Sequence, residues 1–96
     1  MAQSPVQPEA LRAAIFSPHA MAQMIERQIE AAQVRAVLDA PEAVLEVRPG
    51  RVVAQGVIEA AGRKYLLRVF VDVDRKPAQI VTVYRTSKMD KYRSRT

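Results

Sequence analysis

Cutting RNA without a metal takes a group that removes the 2′-hydroxyl proton, a group that protonates the leaving oxygen, and cations that stabilise charge developing on the phosphate. Side chains of all three kinds are present in this chain: the histidine His19, a residue type suited to general acid–base work, the cations Arg27, Arg51, Arg68, Arg85 and Lys88, and the tyrosines Tyr84 and Tyr92. A tyrosine can donate a proton or stack on a base. Basic residues and tyrosines also abound in proteins with no such activity, so composition alone gives the chemistry little weight.

Other chemistries lack their parts. With no cysteine there is no disulfide, thiolate metal site or cysteine nucleophile, and a single histidine with dispersed carboxylates does not make a zinc, calcium or two-metal centre. Asp72 and Asp74 can share a face, but nothing completes a ligand set around them. Ser17, Ser87 and Ser94 lack a nucleophile-elbow context, and no glycine-rich phosphate loop occurs. No metal and no cofactor is expected.

The elements that must carry these residues can be read from periodicity. Residues 64–73 (KYLLRVFVDV) and 78–85 (AQIVTVYR) alternate with period two and are separated by an Asp74 to Pro77 break, the pattern of a hairpin. Tyr65, Leu67, Val69, Val71 and Val73 share one face of the first run, with Lys64, Leu66, Arg68, Phe70 and Asp72 on the other. In the second run, unbroken alternation puts Ile80, Thr82 and Tyr84 on one face and Gln79, Val81, Val83 and Arg85 on the other. On the functional reading, Arg68 and Arg85 border one cleft at the sheet edge.

Upstream, Pro8 and Glu9 suit the first turn of a short helix running to about Phe16. Ser17 and Pro18 form a second helix start, after which His19, Gln23 and Arg27 recur along one line. A third segment with Val34, Val37 and Leu38 on one stripe ends before Pro41, the two segments either bending at residues 28–30 or forming one interrupted element. Residues 43–47 and 51–60 read as strands joined by a turn at 48–50, with Gly56 marking a bulge or a close backbone approach. The expected fold is α+β: N-terminal helices, spanning roughly 18–39, packed on one face of a four-stranded antiparallel sheet.

Ninety-six residues suffice for one core, giving a single domain over residues 1–96 with flexible ends at 1–7 and 93–96. No apolar run is long enough to cross a bilayer, and the first residues lack the plan of a signal peptide, so a soluble, cytoplasmic protein is expected. The net charge of +5 is unevenly spread: three basic residues face six acidic ones in residues 1–47, and twelve face four in residues 48–96. The basic half, with Arg51, Lys64, Lys88, Lys91, Tyr92 and Arg93, is the surface expected to meet nucleic acid or an acidic protein, its tail ordering on binding.

The segments FSPHAMAQMIERQIEAAQVRAVLDAPEAVLE and GRKYLLRVFVDVDRKPAQIVTVYRTSKMDKY resemble the bacterial domain-of-unknown-function family 4258 over residues 16–92. The shared order is a histidine opening a helix, an arginine eight residues later, an isoleucine starting the next helix, a proline ending it, a strand closing on valine and aspartate, and a valine-threonine-valine-tyrosine strand. That family is similar to RelE/ParE-like toxins and small ribonuclease-like proteins, with helices followed by an antiparallel sheet. The resemblance implies a catalytic cleft lined by His19, Arg27, Arg68, Tyr84 and Arg85. It also implies a metal-independent, toxin-type endoribonuclease whose partners are RNA or the ribosome and an acidic antitoxin. The alternative is a binding module that needs only a positive face and an exposed Phe70 or Leu66, with His19 elsewhere.

Overall fold

The computed structural model describes residues 6–92 of the chain. Helix α1 (Pro8–Arg12) has proline at its start and Glu9 in its first turn, but stops at Arg12 rather than continuing to Phe16. Pro18 disfavours helical geometry at the residue before it, and Ser17 is extended at φ −72°, ψ 159°. The chain entering Ser17 instead pairs with a neighbour: the Ile15 and Ser17 amides donate to the Ala78 and Ile80 carbonyls at 2.9 and 3.0 Å. This makes β1 (Ile15–Phe16) a short strand parallel to β5 (Gln79–Thr86).

Helix α2 (Pro18–Arg27) starts as its sequence demands, with the Ser17 hydroxyl accepting from the Ala20 amide at 3.0 Å. It ends where Gln28 adopts a left-handed conformation (φ 56°), which makes the junction a bend. A reciprocal Glu30 and Gln33 capping box then opens α3 (Ala31–Asp39), which terminates ahead of Pro41.

Strands β2 (Ala43–Arg48), β3 (Arg51–Ala60), β4 (Arg63–Asp72) and β5 form the expected antiparallel meander, so the sheet has five strands in the order β1-β5-β4-β3-β2. The β3–β4 turn is two residues long, Ala61 and Gly62, both at positive φ (53° and 76°), as the tightest hairpins require.

The helices cover one sheet face. Ala20, Met24, Val34, Val37 and Leu38 pack there on Val52, Ala54, Leu67, Val69, Val71 and Val83. Gly56 stays in regular register opposite Leu67 and is a close approach rather than a bulge: an added Cβ would lie 3.4 Å from Val37 Cγ2. Val6 also packs on this core, while the ends at 1–5 and 93–96 lie outside the described residues.

The bulge falls in β5. Val69 pairs with Val83 and Phe70 with Thr82, but Val71 then pairs with Ile80, leaving Val81 extra. Ile80 and Val83 therefore both face the helices, whereas Thr82 and Tyr84 face the other side; the unbroken alternation expected of this run does not hold. The second sheet face carries Gln55, Leu66, Arg68, Phe70, Asp72 and Tyr84, and α4 (Met89–Tyr92) folds back over it. That part of the tail is already folded in the isolated chain.

Candidate functional site

The two-residue turn that pairs Ala60 with Arg63 carries the ladder on to set Gln55 opposite Arg68, and the β4–β5 register sets Tyr84 on Arg68's other side. These three side chains form one row across the second sheet face. Arg68 donates from Nε to Gln55 Oε1 at 3.0 Å and from Nη1 to the Tyr84 hydroxyl at 2.7 Å. Its guanidinium lies 4.3 Å from the Tyr92 ring centroid and 5.4 Å from that of Phe70. Gln55 Nε2 donates in turn to the Tyr92 carbonyl at 3.1 Å, which pins the end of α4 over the row.

Arg68 is only 9% exposed and Gln55 only 1%. Among the described residues the hydrogen-bond acceptors of this buried cation are the neutral Gln55 and Tyr84 side chains, and aromatic rings lie beside its guanidinium.

The tyrosines at the site are matched oppositely. Burial pushes the Tyr84 hydroxyl above the usual tyrosine range, against the pull of the Arg68 hydrogen bond. The Tyr92 hydroxyl moves below that range, chiefly because Tyr84 hydrogen-bonds to it and further because Lys91 lies near. Phe70 stacks with Tyr84 (centroids 6.1 Å apart, 26° between planes), and Tyr92 meets Tyr84 edge-on at 6.3 Å.

Of the residues expected to act together, Arg68, Tyr84 and Tyr92 converge here, with Lys91 5.3 Å from the Tyr92 ring. Arg85 does not join them. It pairs with Leu67 on the helix-facing side, donates to the Gln28 carbonyl at 3.1 Å and lies over the Tyr65 ring at 5.0 Å. The expected cleft between Arg68 and Arg85 is therefore absent, because adjacent positions of a strand point to opposite faces.

Arg27 is also spent elsewhere. It donates to the Val83 carbonyl at 2.7 Å while the Gln23 side chain accepts from the Val83 amide at 2.9 Å, so α2 seals the free edge of β5. His19, on the same helical line, is exposed, and no described contact joins it to Arg68, Tyr84 or Tyr92.

Arg51 makes a two-pronged ion pair with Asp72 at 2.6 and 3.1 Å, which holds the carboxyl below its usual range and the guanidinium above its own. Arg48 and Arg75 lower Asp72 further. Lys64 is exposed at the far end of β4, and Lys88 is exposed ahead of α4. Arg93 lies outside the described residues. Leu66 is fully buried rather than exposed, and Phe70 is half-buried.

Gln55 is the member that sequence reasoning missed. The signal was there: it is the one polar side chain inside a buried stretch of β3, and counting back from a turn at Ala61–Gly62 sets it opposite Arg68.

Among the described residues no three histidine, cysteine, aspartate or glutamate side chains come together as a metal cage, and no helix is long and apolar enough to cross a membrane. Comparison with curated proteins and with solved structures gives no match. A family model, Domain of unknown function (DUF4258), matches residues 16–85, spanning both helix starts, the whole sheet meander and the Gln55–Arg68–Tyr84 row, and the chain belongs to that family.

Proposed function

We propose that the second sheet face engages RNA, with Arg68 taking a backbone phosphate, and that the Tyr84–Tyr92 pair handles protons in a metal-independent cleavage. The observation that carries this reading is a buried arginine whose acceptors among the described residues are neutral and whose guanidinium is bordered by three aromatic rings. A phosphate would pair with this guanidinium, and rings beside it suit unstacked bases.

In the cleavage step the 2′-oxygen bonds to phosphorus and the bond to the 5′-oxygen breaks, leaving a 2′,3′-cyclic phosphate and a 5′-hydroxyl. The 2′-hydroxyl proton passes to Tyr92 in its phenolate form, which the Tyr84 hydroxyl and Lys91 stabilise, giving the neutral phenol. Lys91, beside the Tyr92 ring, supplies an ammonium that protonates the leaving oxygen, and Arg68 stabilises the charge on the non-bridging oxygens. The RelE/ParE-like resemblance belongs to this proposal, as do its partners: RNA, free or on the ribosome, in the cytoplasm, and an acidic antitoxin protein facing the basic half.

A second reading, binding of RNA or an acidic protein without turnover, is favoured by one feature. Gln55 and Tyr84 already occupy donors of Arg68, which is what a static docking frame also needs.

Incubating purified protein with RNA and with translating ribosomes, in chelator, separates the two. The cleavage reading expects products ending in 2′,3′-cyclic phosphate from the wild type and far slower formation of them by Arg68→Lys or Tyr92→Phe. Binding with intact RNA supports the second reading, and no binding at low salt removes RNA altogether.

A further inference from the structure

We infer that the strand engaged at Arg68 is single-stranded, that one unpaired base stacks on Phe70, and that Phe70 gives the site a purine preference without reading base identity. The inference rests on the RNA reading above and names its substrate class.

Phe70 sits on the same face as Arg68, two residues along β4, a separation of about 6.6 Å at the usual strand rise. That is the scale on which a nucleotide separates its phosphate from its own base. The ring is half-buried rather than covered, and α4, pinned through Gln55, lies over the Arg68 row. Its cross-strand neighbours are Val53 and Thr82, and its ring plane is held nearly parallel to that of Tyr84. Phe70 is therefore an apolar platform fixed in orientation, with the phosphate-seeking group beside it.

Duplex RNA cannot use such a platform, because the faces of its bases are already stacked inside the helix. A single strand can, since every base has a π-face to offer. Of the groups flanking Phe70 on this face, Arg68 and Asp72 are already hydrogen-bonded to Gln55, Tyr84 and Arg51, and across the ladder stand Val53 and the Thr82 hydroxyl, which leaves little to distinguish one Watson–Crick edge from another. Discrimination then follows stacking area, greater for purines than for pyrimidines.

Fluorescence polarisation tests this with labelled oligo-adenylate, oligo-uridylate and an RNA duplex of equal length, against wild type, Phe70→Leu and Phe70→Trp. Oligo-adenylate is expected to bind tightest and the duplex weakest. Phe70→Leu should lose on the order of tenfold for oligo-adenylate, and Phe70→Trp should keep the preference. Leucine preserves the apolar contact with Val53, and thermal melting verifies that each variant is folded. Equal binding of duplex and single strands, or an unchanged preference in folded Phe70→Leu, overturns the inference while leaving RNA binding at Arg68 intact. If no oligonucleotide binds the wild type, the RNA reading fails and this inference falls with it.

Discussion

Arg68 and Tyr84 face each other across β4 and β5, and the 2.7 Å hydrogen bond between them ties a buried cation to a hydroxyl that in turn holds the Tyr92 hydroxyl below the usual tyrosine range. Among the described residues, dipoles and rings surround that cation, and on the RNA reading its charge serves the ligand. Removing only the donor leaves its buried acceptors unsatisfied, at a cost of about 1–3 kcal/mol. Arg68→Met, which orphans the buried Gln55 Oε1, is therefore expected to melt below the wild type yet still fold, while RNA binding per folded molecule falls by about tenfold. The slope of log affinity against log salt should also drop by about one phosphate contact. A variant that unfolds would show that Arg68 is a structural residue first.

The opposite pattern is expected at Arg27. Its hydrogen bond to the Val83 carbonyl, with the Gln23 side chain accepting from the same residue's amide, closes the β5 edge beyond β1. Arg27→Ala should cost about 1–2 kcal/mol in urea unfolding and leave RNA affinity per folded molecule unchanged. Gln23→Ala should behave alike, and because both bonds end on one residue the double variant should not be additive. Lost affinity at unchanged stability would return Arg27 to the binding site.

The Arg51–Asp72 pair sets an acid limb to stability. Asp72 is held below the usual carboxylate range by its hydrogen bonds from Arg51, with Arg48 and Arg75 adding. A carboxyl lowered in the fold contributes stability that is complete above its unfolded value, about 3.9, and is lost as pH falls through the folded value. Asp72→Asn should destabilise by about 1–2 kcal/mol at pH 7. The gap from wild type should close below about pH 4, as read from urea melts at several pH values. A gap independent of pH would mean that the pair acts by shape alone.

How legible was this in the sequence? Caps and breaks were local and readable: Ser17 with Pro18, Pro41, and the alternation of residues 64–73 each act through neighbouring backbone atoms. Two features were not. The β1 strand exists only because Ile15 and Ser17 amides meet carbonyls of β5, more than sixty residues away in the chain. The extra residue at Val81 is invisible to a period-two count, yet it decides that Ile80 and Tyr84 face opposite ways. The site follows the same division. Arg68 with Tyr84 was readable once both were assigned to strands, whereas Gln55 needed the turn at Ala61–Gly62 and α4 needed its docking contact with Gln55.

The helical line of His19, Gln23 and Arg27 made the histidine the natural acid or base, and the fold assigns that line another task. Gln23 and Arg27 are committed to the β5 edge, and His19 is solvent-exposed ahead of them. Tyr92, by contrast, lies 4.3 Å from the Arg68 guanidinium and has its hydroxyl acidified by Tyr84. A group acting as general acid or base contributes about 10²–10⁴-fold in rate, so the two candidates are easily told apart. His19→Ala should cleave RNA at the wild-type rate and melt at the wild-type temperature. Tyr92→Phe keeps the ring over Arg68 and the backbone contact with Gln55, and should lose about 10²-fold or more in rate with RNA affinity within a few-fold of wild type. Equal loss of affinity and rate in Tyr92→Phe would make the hydroxyl a binding group. A rate collapse in folded His19→Ala would move the chemistry to the α2 side of the sheet.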